Sequence, residues 1–109
     1  AEYIFVAYGL SARICHKAAI MAREKGIKAG MFRPITLFPY PYKRLNELAD
    51  RVKFFLTVEL NAGQMVEDVR LGVNGKIPVE FYGRLGGMVP NPEEIVNKLE
   101  NLISNKNVN

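Results

Sequence analysis

The chain has 109 residues, 49% of them hydrophobic and 24% charged, with a formal net charge of +4; this fits one compact domain built on a single layered core. One cysteine (Cys15), one histidine (His16) and no tryptophan exclude disulfides within the chain and any four-cysteine metal or iron–sulfur site. The positive charge is scattered, its longest run being the pair Lys43-Arg44, and with no aromatic-basic platform beside it a nucleic-acid partner is not expected.

Tyr3-Ile4-Phe5-Val6-Ala7-Tyr8 is a continuous apolar run ended by Gly9, the pattern of a strand buried on both faces. Ser11 is the expected cap of a helix in which Ile14, Ala18, Met21 and Ala22 share one face, with Arg13, His16, Lys17, Arg23 and Glu24 opposite, and Gly26 as its stop. Residues 28–33 form a short second strand, closed by Pro34, which disfavours helix at Arg33 and cannot donate to a ladder. Residues 34–41 hold Pro34, Pro39 and Pro41 among apolar side chains. They predict a stiff connector that must pack against something. A helix is expected over Lys43–Val52, with Leu45, Leu48, Ala49 and Val52 on one face.

Residues 54–60 give a third, nearly all-apolar strand. Asn61-Ala62-Gly63-Gln64 then reads as a helix start, Asn61 as N-cap and Gln64 in a capping-box position. Met65, Val66, Val69 and Val73 supply the buried face of that helix, and Asn74-Gly75 its exit. A fourth strand is expected over Ile77–Tyr82, beginning at a sheet edge because of Pro78, followed by the glycine-rich Gly83-Arg84-Leu85-Gly86-Gly87. Asn91-Pro92-Glu93-Glu94 combines an N-cap, a proline at the first helical position and two acids at the positive dipole end. Ile95, Val96, Leu99, Leu102 and Ile103 continue that last helix, so the expected domain covers residues 1–104, with 105–109 as a fraying tail.

Strand and helix alternate four times, which predicts a three-layer α/β/α sandwich on a mainly parallel sheet. With right-handed crossovers, and the first and third strands central because they are the most uniformly apolar, the expected order is 2-1-3-4. The switch point then lies between Gly9-Leu10-Ser11 and Asn61–Gln64, where open α/β sheets bind ligands.

The chain is poorly equipped for catalysis. Cys15 and His16 are adjacent on one helix and point about 100° apart, so they cannot work as nucleophile and base; no catalytic residue and no metal ligand is expected, Cys15 reading as core and His16 as surface. The Gly83–Gly87 loop matches neither the dinucleotide fingerprint nor the Walker pattern, although Arg84 is placed to meet an acidic group. Free N–H groups at Asn61–Gln64 suit an anion or a carbonyl, while capping alone also explains Asn61 and Gln64. Glu59 and Glu67 read as solvated or interface acids. The apolar stretches are far shorter than the roughly 20 residues of a membrane helix, no secretory signal is expected ahead of Ala1, and a lone thiol suits a reducing cytoplasm.

Four segments taken together, residues 6–13, 32–39, 58–70 and 81–87, resemble the C-terminal part of the alpha subunit of 2-oxoacid:ferredoxin oxidoreductases, in order and spacing over nearly the whole chain. The resemblance implies a transketolase C-terminal-like domain of an enzyme that oxidatively decarboxylates a 2-oxoacid, joins the acyl group to coenzyme A and passes electrons through iron–sulfur clusters to ferredoxin. Thiamine diphosphate, with magnesium, would be its cofactor. The Gly-Asp-Gly thiamine-diphosphate signature and the cluster cysteines are missing from these residues, so this domain is expected to bind none of these cofactors by itself. The implied partners are the preceding domain of the same subunit, the beta subunit and, through other subunits, ferredoxin. Gly9, Ser11, Arg33, Pro34, Asn61, Gly63, Gln64 and Arg84 are the interface or ligand-proximal candidates, and Ile35, Leu37, Phe38, Tyr40 and Tyr42 are expected to form an apolar docking patch. Two other readings are a stand-alone flavodoxin-like module for a small ligand or nucleotide, and an oligomerisation domain of another transketolase-like enzyme.

Overall fold

The computed structural model describes residues 1–7, 10–33, 42–59, 64–83 and 90–107. Strands and helices alternate strictly: β1 (Tyr3–Val6), α1 (Leu10–Glu24), β2 (Ala29–Phe32), α2 (Tyr42–Ala49), β3 (Phe54–Glu59), α3 (Gln64–Val73), β4 (Val79–Gly83) and α4 (Pro92–Asn107). The sheet has the order β2-β1-β3-β4, and each neighbouring pair is parallel. This is the expected order. β1 and β3 are buried along their whole length, whereas β4 is half-buried, as central and edge strands of a doubly covered sheet should be.

Two cores follow from the period-2 alternation of β1 and β3. Tyr3, Phe5 and Ala7 of β1 and its end, with Phe54, Leu56 and Val58 of β3, meet Ala12, Cys15, Ala18 and Ala22 of α1 and Ile95, Leu99 and Leu102 of α4. Ile4, Val6 and Phe55 point the other way, onto Leu45 and Ala49 of α2 and Val69 and Val73 of α3. The alanines along α1 leave room for α4 beside it. The buried glycine Gly72 does the same for α3 against α2, since a β-carbon there would lie 3.2 Å from Leu45 Cβ and Cδ1.

Helix ends carry their own signatures. At the end of α1, Gly26 N–H donates to Arg23 O (2.9 Å) and Ile27 N–H to Ala22 O (3.0 Å), with Gly26 at φ 85°; this is a Schellman motif, and glycine takes its left-handed position without steric cost. Asn74 (φ 54°) and Gly75 (φ 78°) form the expected exit from α3. At α4, Asn91 Oδ1 accepts from Glu94 N–H at 3.1 Å, and Glu94 Oε2 in turn accepts the Tyr82 hydroxyl at 2.8 Å, tying the helix start to β4.

Several boundaries differ from the sequence reading. α1 begins at Leu10, so Ser11 is a buried residue of the first turn and not the cap. α2 stops at Ala49; Asp50 and Arg51 then bond three residues back, to Glu47 and Leu48, and this tightening keeps Val52 buried after the helix has ended. β4 is shifted to Val79–Gly83, while Pro78, with no N–H of its own, serves the sheet through its carbonyl, which accepts from Phe55 N–H. α4 continues past Ser104 to Asn107. No helix among the described residues is long and apolar enough to cross a membrane.

Candidate functional site

In an open parallel sheet the natural binding crevice lies beyond the C-terminal strand ends, where the crossovers diverge. α1 carries the chain from β1 towards β2 on one face, and α3 carries it from β3 towards β4 on the other. The divergence is therefore between the ends of β1 and β3. Of the expected site residues, the structure brings Ser11, Arg33 and Gln64 to this end of the sheet: Ser11 is buried in α1, Arg33 is exposed one residue beyond β2, and Gln64 opens α3. Gly9, Pro34, Asn61, Gly63 and Arg84 lie outside the described residues, as do Ile35, Leu37, Phe38 and Tyr40.

The most constrained polar group here is Glu59, the last residue of β3. It is only 6% exposed, and its Oε2 accepts the Val66 backbone N–H at 3.1 Å. Since α3 starts at Gln64, Val66 contributes one of the otherwise orphan N–H groups of the first turn, and the carboxylate lies at the positive end of the helix dipole. Of the two expected readings of Glu59, solvated or interface acid, the burial excludes the solvated one. Gln64 stands at the first helical position and not at the third position of a capping box, and the acceptor comes from the strand. Glu67, by contrast, is exposed, 3.9 Å from Arg70. Thr57, two residues before Glu59, is fully buried, and its Oγ1 has no hydrogen-bond partner among the described residues.

Nucleophilic chemistry finds no support among the described side chains. Cys15 is fully buried, and burial pushes its thiol up to about 12 from 9.0, which leaves essentially no thiolate at neutral pH. His16 faces solvent on the same helix. Among the described residues, no three His, Cys, Asp or Glu side chains come close enough to hold a metal ion. Tyr42, a member of the expected docking patch, keeps 40% of its surface exposed while its hydroxyl donates to Asp68 Oδ1 at 2.8 Å; that hydrogen bond to the carboxylate pushes the phenol upwards. A hollow of about 420 Å³ lined by Arg23, Gly26, Ile27 and Lys28 opens at the opposite end of the sheet, away from the divergence.

A sandwich with a β2-β1-β3-β4 parallel sheet and little chemistry of its own is a recognisable unit. Residues 1–95 match the family described as pyruvate:ferredoxin oxidoreductase core domain II. The chain belongs to this family. As a core domain II it is similar to the ketoisovalerate oxidoreductase subunit VorB of Methanothermobacter marburgensis, with 41% identity over 107 residues, covering 98% of this chain and 30% of the relative. It is also similar to the 2-oxoglutarate synthase subunit KorA of the same organism, with 34% identity over 99 residues, covering 91% of this chain and 26% of the relative. The chain thus spans less than a third of these curated relatives.

Two solved structures share the core domain II fold. One is the 2-oxoglutarate:ferredoxin oxidoreductase of Magnetococcus marinus with 2-oxoglutarate, coenzyme A and succinyl-CoA bound, at TM-score 0.75 and 19% identity, covering 93% of this chain and 18% of that one. The other is a split-gene transketolase in an inactive beta4 tetramer, at TM-score 0.77 and 20% identity, covering 92% of this chain and 37% of that one. The expected resemblance to 2-oxoacid:ferredoxin oxidoreductases and to a transketolase C-terminal-like fold is borne out.

Proposed function

We propose that residues 1–104 serve as a supporting domain in the alpha subunit of a 2-oxoacid:ferredoxin oxidoreductase, which decarboxylates a 2-oxoacid oxidatively, acylates coenzyme A and delivers the electrons to ferredoxin. The observation that carries this reading is the alignment of 98% of the chain with 30% of VorB at 41% identity. In this reading thiamine diphosphate, magnesium, the iron–sulfur clusters and coenzyme A are held by other domains and subunits, because the described residues offer no metal-binding group and only a buried, protonated thiol. When bound, thiamine diphosphate supplies the carbanion chemistry. The work of this domain is assembly: Gly9, Ser11, Arg33, Pro34, Asn61, Gly63, Gln64 and Arg84 are its interface or ligand-proximal residues, facing the preceding domain of the subunit and the beta subunit. The lone buried thiol fits a cytoplasmic location.

The test is made on the complete protein that carries this chain, with its companion subunits. Reduction of ferredoxin or a viologen dye is followed with branched-chain 2-oxoacids and with 2-oxoglutarate. Activity dependent on coenzyme A and thiamine diphosphate is expected with at least one of them, and no activity from a fully loaded complex refutes the reading. Replacement of Ser11, buried in the first turn of α1, by Ala should leave kcat within roughly threefold; a loss of roughly 100-fold or more in a complex of intact composition overturns the supporting role.

A further inference from the structure

Six basic side chains are held by partners within the domain. Lys25, Lys53 and Lys76 lie 2.9–3.1 Å from Glu100, Glu2 and Asp50, and Arg44 and Arg70 stand within 4 Å of Glu47 and Glu67. Arg23 donates to the Ala29 carbonyl at 2.7 Å. Of the basic side chains without such a partner among the described residues, Arg13, Lys17 and Arg33 come together, and with His16 they line one hollow of about 370 Å³ between α1 and the end of β2. No acid lines it. Ala12 and Met31 complete the wall, and Ala12 is buried.

Three features of this hollow favour an anion. Arg13 and Lys17 are four residues apart on α1, a like-charge spacing that disfavours the helix unless negative charge is near. The hollow lies along the first two turns of α1, a fifteen-residue helix with no acid in its first turn, so the positive end of its dipole adds to the side-chain field. Arg33 reaches the same space from a different element, beyond β2. Two guanidinium forks from separate elements with an ammonium beside them match adjacent phosphate groups, whose oxygens take bidentate donors. The volume is in the range of small-ligand sites, roughly 300–1,000 Å³. We propose that this hollow is a binding site for a small diphosphate-bearing anion, free or as an ester. Arg33 is one of the interface or ligand-proximal residues named above, and this site requires it to be ligand-proximal and left uncovered in the assembly.

Arginine footprinting on the complete protein in its native assembly tests the proposal. Phenylglyoxal modification is read residue by residue by peptide mass spectrometry at Arg13, Arg33 and the exposed control Arg51, with inorganic pyrophosphate and with ADP as probes. Both probes should slow modification of Arg13 and Arg33 by about fivefold or more and leave Arg51 unchanged, and Lys17→Gln should raise the concentration needed by a similar factor of about five. Protection by ADP at lower concentration than pyrophosphate identifies an ester as the preferred form; equal protection identifies the phosphates alone. The proposal is overturned by equal slowing at Arg51, by no protection at millimolar probe, or by Arg13 and Arg33 being unreactive from the start because a neighbouring subunit covers them.

Discussion

Replacing Glu59 by Ala removes the carboxylate that the end of β3 offers to the first turn of α3, and the size of the effect follows from the geometry. The carboxylate is 6% exposed and 3.1 Å from Val66 N–H, so water does not readily take its place. Loss of a helix cap costs about 0.5–2 kcal/mol, and a buried N–H left without an acceptor costs about 1–3 kcal/mol; these describe one event and are not added. The expected loss is about 2 kcal/mol, a fall in Tm of roughly 10 °C for a domain of this size. Glu59→Gln keeps an acceptor oxygen and gives up only the charge at the helix terminus, a loss of about 0.3–1 kcal/mol. Urea denaturation followed by circular dichroism measures both variants. Hydrogen exchange at the Val66 amide supplies the local readout, and in Glu59→Ala it should speed up by about 30-fold if opening of the first turn becomes that much easier. The reasoning is refuted if Glu59→Ala stays within about 0.5 kcal/mol of the parent with Val66 equally protected, or if Gln is as damaging as Ala.

Glu59 also shows where sequence reading stops. The sheet order was legible because β1 and β3 carry apolar side chains on both faces, and only central strands are covered on both. The C-terminal end of α1 and the start of α4 were legible because Gly26 and Asn91 act within a few residues of themselves. Glu59 acts on a helix that folds back over the strand end seven residues later, and a rule that assigns charge to solvent carries no information about that return. Strand alternation was the available signal: Phe55, Thr57 and Glu59 share a face, and Phe55 packs against α2 and α3. The end of α2 misled for the opposite reason, since the apolar spacing of Leu45, Leu48, Ala49 and Val52 outlasts the helix when the chain tightens at Asp50 and Arg51. The basic hollow was not legible at all. Arg13 and Arg33 meet only because a parallel crossover returns β2 alongside β1, so their proximity is a property of topology and not of spacing.

Three further changes test other parts of the argument. Asn91→Ala should destabilise the protein by about 1 kcal/mol through loss of the α4 cap, whereas Asn91→Asp should stay near the parent; equal urea midpoints for the parent and the Ala variant count against capping as the reason α4 begins there. Thr57→Val exchanges a fully buried hydroxyl without a partner among the described residues for a methyl group and should stabilise by about 1 kcal/mol; a lowered urea midpoint shows that the hydroxyl does find a partner. The third concerns Cys15, whose thiol burial raises to about 12 in the folded chain against 9.0 for the free group. Between these values the unfolded state has released the proton and the folded state has kept it, so folding binds a proton and stability falls as pH rises. Below about pH 9 Cys15 adds no slope; above it the slope approaches ~1.4 kcal/mol per pH unit until the folded thiol itself ionises. Lysines and tyrosines titrate in the same window, so the quantity to measure is the difference between the parent and Cys15→Ala across pH 8 to 11, which cancels their contribution. A difference that stays flat over that range means the native thiol ionises as an exposed one does, and Cys15 is then not sealed between α1 and the sheet.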